Sequence, residues 1–338
     1  MSIRSLLTDR TLGFGAAPLG NMFRAVSEED ALSTVETAWN EGIRYYDTAP
    51  IYGAGLSEIR LGQVLAQHPR SEYVLSTKVG RTVEDEIEEP TERDLGEKGG
   101  LFEHGRKNKV RDDYTYDGTM RAIEQSLERL RTDRIDIAWV HDVSPDFHGD
   151  DWIDAFAASR TGAFRALTSL REQGVIGAWG LGVNTVEPCE LILGLDEPKP
   201  DGFLLAGRYT LFDHAHAVQR LLPTCLERGV DLVVGGPFNS GVLAGGQHFE
   251  YQEASSEVLE QVDRLRGVAE GHGVDLKAAA LQFPLAHPAV AATIPGMSRP
   301  ERVSQNLELL RAPIPGQFWR TLREEKLVAP EVPLPTGE

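Results

Sequence analysis

The sequence predicts an α/β fold in which eight parallel strands close into a (β/α)8 barrel. Eight short runs of β-branched, aromatic or apolar residues alternate with longer amphipathic segments along the chain. Most of these runs are continuously apolar, which is typical of strands covered by helices on both faces. The alternative is a doubly wound open sheet, which we disfavour because no strand is followed by a clean G-x-G-x-x-G sequence.

The alternating segments define the elements in order. The predicted strands are Leu12–Ala16, Arg44–Thr48, Tyr73–Val79, Ile135–His141, Ile176–Asn184, Phe203–Tyr209, Val230–Gly235 and Ala291–Pro295. The first helix begins after Ser27 and ends near Gly42, and the later ones are Ser57–Gln67, Tyr116–Arg131, Ala163–Gln173, Val186–Leu195, Ala215–Arg228, Ser255–Leu285 and Pro300–Leu310. We expect the segment Ser255–Leu285 to break near Gly271.

The composition of the 338-residue chain is that of an ordinary globular protein, with 41% hydrophobic and 25% charged residues. The formal net charge of −18 disfavours nucleic acid and anionic membranes as partners, because both bind through clustered Lys and Arg. Cys189 and Cys225 have no metal-ligand spacing, so we predict neither a disulfide framework nor a metal site. No segment predicts a signal peptide or a membrane span. We therefore expect a cytoplasmic protein that acts on a small molecule, in an oligomeric state left open.

We expect a single domain over residues 1–338, although the length alone allows two. Two long connections, residues 80–117 and 142–162, follow predicted strands and so lie at the C-terminal face of the barrel, where barrel active sites are built. They are either disordered insertions or ordered flaps, and Phe102 and Phe147 favour flaps because they supply apolar anchors. The last segment, residues 312–338, predicts an appended helix and a proline-rich tail.

Four polar side chains near the ends of early strands predict a catalytic site: Asp47, Tyr52, Lys78 and His141. A tyrosine has a reference pKa of about 10, and we expect a buried lysine beside it to favour the phenolate. An aspartate paired with that lysine would keep the ammonium charged and in place. A histidine at the same mouth can hydrogen-bond the substrate oxygen. The arrangement predicts a tyrosine that moves a proton while a cofactor moves a hydride.

These residues lie in segments that resemble the aldo-keto reductase superfamily over nearly the whole chain. The segments are GFGAAPLG, DTAPIYG, SEIRLG, STKVG, RIDIAWVHD, GLGVN and IPGMSRPERVSQN. The resemblance implies a TIM barrel of the aldo-keto reductase type that binds NAD(P) across its C-terminal face. It also implies that Tyr52 is the catalytic acid or base, that Asp47 and Lys78 tune it, and that His141 orients the substrate.

The resemblance further implies a set of cofactor-binding residues. They are Asn184, Pro237, Ser240, Gly296, Arg299, Arg302, Gln305 and Asn306. Asn306 matches an asparagine that contacts adenine, and Arg302 matches an arginine near the adenosine 2′-position. Many NADPH-using members have P-K-S where this chain has Pro295-Gly296-Met297, which removes a cation and a hydroxyl. We therefore predict NAD as the cofactor, with NADP as the alternative.

Four further segments indicate a branch of the superfamily: RTLGFGAAPLGNMFR, DTAPIYGAGLSE, GEKGGLFEHG and RYTLFDH. By these segments the chain looks most like the branch that contains pyridoxal 4-dehydrogenase and D-threo-aldose 1-dehydrogenase. That resemblance implies oxidation of a cyclic hemiacetal to a lactone. Aromatic side chains that could wall a pyridine ring, such as Phe102 and Phe147, favour pyridoxal slightly over a sugar such as L-fucose. The side chains expected to bind substrate are Phe23, His104, Trp152 and Tyr209. The alternatives are an NADPH-dependent aldehyde or ketone reductase that uses the same four catalytic residues, and a regulatory barrel that binds nucleotide without catalysis.

Overall fold

An eight-stranded parallel barrel forms the centre of the computed structural model, which describes residues 2–93 and 100–336. The strands are Phe14–Gly15, Tyr45–Asp47, Val74–Val79, Ile137–His141, Ala178–Val183, Gly202–Ala206, Asp231–Gly235 and Val290–Ile294. Each strand pairs with the next in that order. Parallel bridges from Leu12 to Thr293 and from Gly15 to Gly296 join the first strand to the last. The predicted barrel is confirmed.

The helices that cover the barrel follow the predicted amphipathic segments. They are Glu28–Asn40, Leu56–Leu65, Tyr116–Leu130, Ala163–Glu172, Glu187–Leu193, Ala215–Gln219, Leu221–Arg228, Ser256–Gly271, Leu276–Gln282 and Pro300–Arg311. The expected break after Gly271 is present, because the Asp275 side chain caps a new helix by accepting from the Lys277 amide. The helix expected over Ala215–Arg228 also divides, because the backbone at Arg220 is not helical.

Side chains that point inward from the strands fill the barrel. Tyr45, Trp139 and Val233 belong to one buried cluster, which Ile3 and Leu7 from the N-terminal segment complete. Burial of one large apolar side chain contributes about 1.5–3 kcal/mol, so such an interior is a packed core. A ligand therefore has no room inside the barrel itself.

The two long connections contain regular secondary structure. Residues 80–117 contain an antiparallel hairpin of Arg81–Ile87 with Asn108–Asp112, and residues 94–99 of this connection lie outside the described part. Residues 142–162 contain the helices Pro145–His148 and Trp152–Thr161. The described parts of both connections are therefore ordered, as the flap alternative expects, because strand pairing and helical turns satisfy their backbone polar groups.

The C-terminal segment packs onto the barrel. Its helix, Gly316–Glu324, buries Phe318 and Trp319, and the tail that follows buries Val328. The His214 side chain accepts a hydrogen bond of 3.1 Å from the Ala329 amide and so links the tail to the connection after the sixth strand. Within the described residues, no helix has both the length and the apolar character to cross a membrane.

Candidate active site

Asp47 and Lys78 form a buried ion pair at the C-terminal mouth of the barrel. Lys78 Nζ lies 2.7 Å from Asp47 Oδ2 and donates to the Thr48 carbonyl over 2.8 Å. The Ser76 hydroxyl donates to the other Asp47 oxygen over 2.6 Å. Parallel pairing of the second and third strands brings these residues together. The pair compensates two charges that would each be costly to bury alone.

Tyr52 lies in the turn between the second strand and helix Leu56–Leu65. Lys78 Nζ is 4.7 Å from the centroid of the Tyr52 ring. The next residue, Gly53, has a φ of +65°, and a Cβ atom there would lie 2.4 Å from the Gly20 carbonyl oxygen. Glycine meets both constraints without strain, so the turn that carries Tyr52 is held against the first connection of the barrel.

The pKa of Tyr52 lies well above its ordinary range. Burial is the main cause, the Asp47 and Asp142 carboxylates add to the shift, and Arg81 opposes it. Burial also raises the pKa of Asp47, and Lys78 opposes that shift. The expectation that a buried lysine favours the Tyr52 phenolate was wrong in its net direction, because burial of the hydroxyl and the nearby carboxylates raise the pKa of Tyr52. At neutral pH the Tyr52 hydroxyl is protonated.

His141 ends the fourth strand and lies beside Tyr52. The centroids of the two rings are 6.0 Å apart in an edge-to-face arrangement. The Tyr114 hydroxyl donates to the His141 carbonyl over 2.8 Å, and Arg81 Nη1 is 3.2 Å from His141 Nδ1. The structure thus brings together the four predicted catalytic side chains, with three of them on the pocket and Asp47 behind Lys78.

The pocket at this mouth is partly enclosed and opens to solvent. Tyr52, Lys78 and His141 line one part of it. The remaining wall is largely apolar and includes Met22, Ile51, Leu101, Phe102, Phe147, Val183 and Leu204. The Phe102 ring stacks on Tyr52 with a centroid separation of 5.5 Å. The groups around Tyr52 are thus mostly apolar and aromatic.

Asn184, which follows the fifth strand, is the predicted cofactor residue that reaches this pocket. Its amide nitrogen donates to Asp146 over 2.9 Å, and the Tyr251 hydroxyl lies 3.5 Å from its amide oxygen. The predicted Ser240 lies nearby, because its hydroxyl accepts from the Tyr251 amide over 3.0 Å. Pro237 precedes Ser240 in the connection after the seventh strand and does not line the pocket.

The other predicted cofactor residues lie where the eighth strand leads into helix Pro300–Arg311. This group consists of Gly296, Arg299, Arg302, Gln305 and Asn306. Arg299 is the N-cap residue, and burial together with the positive charges of Arg299 and Arg24 lowers the pKa of Arg302. Arg24, which sequence analysis missed, also donates to Ser298 over 3.2 Å. Three like charges at a helix N-terminus fit the phosphate groups of a dinucleotide.

None of the four predicted substrate residues lines the pocket. Phe23 and His104 are exposed, and Phe23 packs on His248. Trp152 is half-buried and packs edge-to-face on Phe156. Tyr209 is fully buried. Its ring centroid lies 5.6 Å from that of Phe283, in the core between sheet and helices.

Three polar side chains near the catalytic group were not predicted. Arg81 directly follows the STKVG segment and could have been found by extending that motif by one residue, whereas Asp142 is the last residue of the RIDIAWVHD segment and was given no role. Tyr251 lies on a short hairpin formed by His248–Phe249 and Gln252–Glu253, far along the chain from the other residues of the site. No local pattern marks it.

Comparison with known proteins shows that the chain resembles aldo-keto reductases over nearly its whole length. The family model described as Aldo/keto reductase family matches residues 11–326. The chain is 40% identical to a pyridoxal 4-dehydrogenase of Microbacterium luteolum, with 96% of each chain covered. It is 39% identical to a D-threo-aldose 1-dehydrogenase of a Pseudomonas species, with 94% of each covered. Its structure matches the holo form of an aldo-keto reductase from Bacillus halodurans with a TM-score of 0.71 and 25% identity, over 94% of this chain and 92% of that one.

Proposed function

The chain belongs to the aldo/keto reductase family, and from that premise we propose that it is an NAD-dependent dehydrogenase that oxidises a cyclic hemiacetal to a lactone. The observation that carries the proposal is the position of Tyr52 against the buried Asp47–Lys78 pair, with His141 beside it. Two relatives at 40% and 39% identity are named as dehydrogenases, which supports the oxidative direction.

In the proposed reaction Tyr52 accepts the proton. The anomeric hydroxyl of the substrate gives its proton to the Tyr52 phenolate, its carbon loses a hydride, and the carbon–oxygen bond becomes the lactone carbonyl. His141 orients the same oxygen through a hydrogen bond, and Asp47 holds the Lys78 ammonium beside the Tyr52 ring. An oxidised nicotinamide cofactor, when bound, supplies the hydride acceptor. Asn184 and the arginines near helix Pro300–Arg311 would hold it.

The apolar wall of the pocket favours pyridoxal over a sugar. Phe102 and Phe147 offer aromatic faces, and Met22, Ile51 and Leu101 add aliphatic surface. A pyridine ring gains from such contacts, whereas each sugar hydroxyl needs a polar partner once it leaves water. We therefore propose pyridoxal as the substrate and 4-pyridoxolactone as the product, with an aldose such as L-fucose as the second choice.

Steady-state assays of the purified protein test this function. We expect NADH to form with pyridoxal, with 4-pyridoxolactone as the product, and turnover with L-fucose to be slower.

Tyr52→Phe should lower kcat by about 10²- to 10⁴-fold, because it removes the proton acceptor. NAD binding, followed by fluorescence titration, should not change. The matched control is Tyr116→Phe, which makes the same chemical change at an exposed helix residue. Absence of turnover with both substrates, or full activity of Tyr52→Phe, would contradict the proposal.

A second candidate is an NADPH-dependent aldehyde reductase. Two observations favour it. The raised pKa of Tyr52 makes it a proton donor at neutral pH, as reduction of a carbonyl requires. Arg24 adds a third cation near the expected adenosine 2′-position, beside Arg299 and Arg302.

Cofactor titration separates the two candidates. We expect NAD to bind more tightly than NADP, and Arg24→Ala to weaken NADP binding while leaving NAD binding unchanged. Tighter binding of NADPH than of NAD, together with aldehyde reduction faster than hemiacetal oxidation, would replace the dehydrogenase with the reductase.

A further inference from the structure

Arg81 contacts His141, the catalytic side chain whose neutral ring can carry its proton on either nitrogen. It is the first residue of the hairpin strand Arg81–Ile87, and its side chain is 5% exposed. Its Nη1 atom lies 3.2 Å from His141 Nδ1 and 2.6 Å from Asp142 Oδ2. Its Nε atom donates to Asp112 over 3.0 Å. The guanidinium is thus held between two carboxylates and directed at the His141 ring.

The chemistry of the contact decides where the proton of His141 lies. A guanidinium has donors and no acceptor, so His141 Nδ1 must accept the hydrogen bond from Arg81. A neutral imidazole whose Nδ1 accepts carries its proton on Nε2. We propose that Arg81 is a positioning residue that holds His141 as the neutral Nε2–H tautomer, the form that can donate a hydrogen bond to a substrate oxygen.

Asp142 favours the charged form of His141, and Arg81 opposes that effect. Its Oδ2 atom is 3.5 Å from His141 Nε2, close enough for the carboxylate to favour a charged imidazolium. The Arg81 salt bridge engages the same oxygen at the shorter distance of 2.6 Å. Asp142 has a φ of +52°, a strained conformation for a residue other than glycine, and its amide donates to the Gly182 carbonyl. The backbone therefore holds this carboxylate where Arg81 can neutralise it.

Other titratable groups also face His141. The Tyr52 ring meets the imidazole edge-to-face, and the Tyr114 hydroxyl donates to the His141 carbonyl and lies 3.1 Å from His148 Nε2. These contacts involve a ring face or a backbone oxygen. Arg81 Nη1 contacts an imidazole nitrogen directly and brings a positive charge, which disfavours protonation of His141.

NMR of protein labelled with ¹⁵N in histidine tests the proposal without any substrate. His141→Gln identifies the His141 signals among those of the nine histidines. In the unmodified protein we expect His141 to show a protonated Nε2 and an unprotonated Nδ1 at neutral pH. Arg81→Met should replace this pattern with that of a charged ring or of a tautomer mixture. Arg81→Lys, which keeps a donor and the charge, should restore most of it.

The kinetic part of the test rests on the proposed function. With pyridoxal, Arg81→Met should lower kcat by at least about tenfold with little change in KM, because His141 would no longer be held in the tautomer that donates to the substrate oxygen. The control is Arg111→Met, the same change at an exposed residue of the paired strand Asn108–Asp112, so both the tautomer and kcat should be unchanged.

A protonated Nδ1 in the unmodified protein would overturn the proposal, even if Arg81→Met did not fold. An unchanged His141 spectrum in folded Arg81→Met would overturn it as well. If the protein oxidises neither pyridoxal nor L-fucose but shows the expected tautomer and its loss in Arg81→Met, the proposed function fails and the assignment of Arg81 stands.

Discussion

Tyr52 is buried beside the Asp47–Lys78 ion pair, and its burial determines how its reactivity should depend on pH. Burial and the Asp47 carboxylate raise the pKa of Tyr52, so only a small fraction is phenolate at pH 7. Below the pKa, that fraction grows tenfold with each pH unit. We therefore expect kcat/KM for oxidation to rise with pH from 7 upward, with a slope near one on a logarithmic scale.

The measurement is a pH profile of kcat/KM with both pyridoxal and L-fucose, because the sugar has no group that titrates near neutrality. Tyr52→Phe is the control, since its residual activity should not follow the same rise. A plateau that already begins at pH 7 would show that the phenolate is favoured in the working enzyme and would contradict this prediction.

At the residue scale, a side chain's place in the site could be predicted where the residue ends a strand. Asp47 and His141 each end a buried strand, which is a local signal, so their convergence followed from the barrel. Tyr209 was expected at the end of a strand too, but that strand ends at Ala206 and the chain turns at Gly207, where φ is +72°. The turn directs the tyrosine ring into the core, and its direction depends on packing that no local pattern reports.

At the element scale, the turn that carries Tyr52 depends on one glycine. Gly53→Ala adds a Cβ atom 2.4 Å from the Gly20 carbonyl oxygen at a φ of +65°. The backbone conformation alone costs about 1–2 kcal/mol for an alanine, and the clash forces the turn to move. We expect a free energy of unfolding lower by roughly 3 kcal/mol and a fall in kcat/KM of at least tenfold.

Urea unfolding and steady-state kinetics measure the two effects. Gly174→Ala is the matched control, since Gly174 has a φ of +72° but open space around it. That variant should lose only about 1–2 kcal/mol of stability and keep its activity. Equal effects of the two substitutions would mean that the contact between Gly53 and Gly20 does not position Tyr52.

Sequence patterns located the barrel strands and most covering helices, because alternating apolar runs and cap residues are short-range signals. They did not locate the hairpin that begins at Arg81. The pairing of Arg81 with Asp112 joins two segments 31 residues apart, and the apolar alternation of these partly exposed strands is weak. The proposed control of His141 depends on this hairpin, so that part of the site could not be predicted.

At the scale of the whole molecule, the segment after Ala312 contributes to the core. Phe318, Trp319 and Leu322 of its helix are nearly or fully buried, as are Val328 and Val332 of the tail. Five such side chains contribute about 1.5–3 kcal/mol each, a sum comparable with the 5–15 kcal/mol that stabilises a typical protein. The segment is therefore a structural part of the barrel rather than an appendage.

We expect a chain truncated after Ala312 to be insoluble, or to lose its cooperative thermal unfolding transition in circular dichroism. Arg320→Ala provides the contrast, because Arg320 lies on the exposed face of the same helix and bonds only to Gln317 among the hydrogen bonds of the described residues. It should change the free energy of unfolding by less than about 0.5 kcal/mol. Phe318→Ala should cost about 3–5 kcal/mol, because it leaves a cavity between the helix and the barrel. A truncated chain with the melting temperature and activity of the full-length protein would show that the barrel closes its core without this segment.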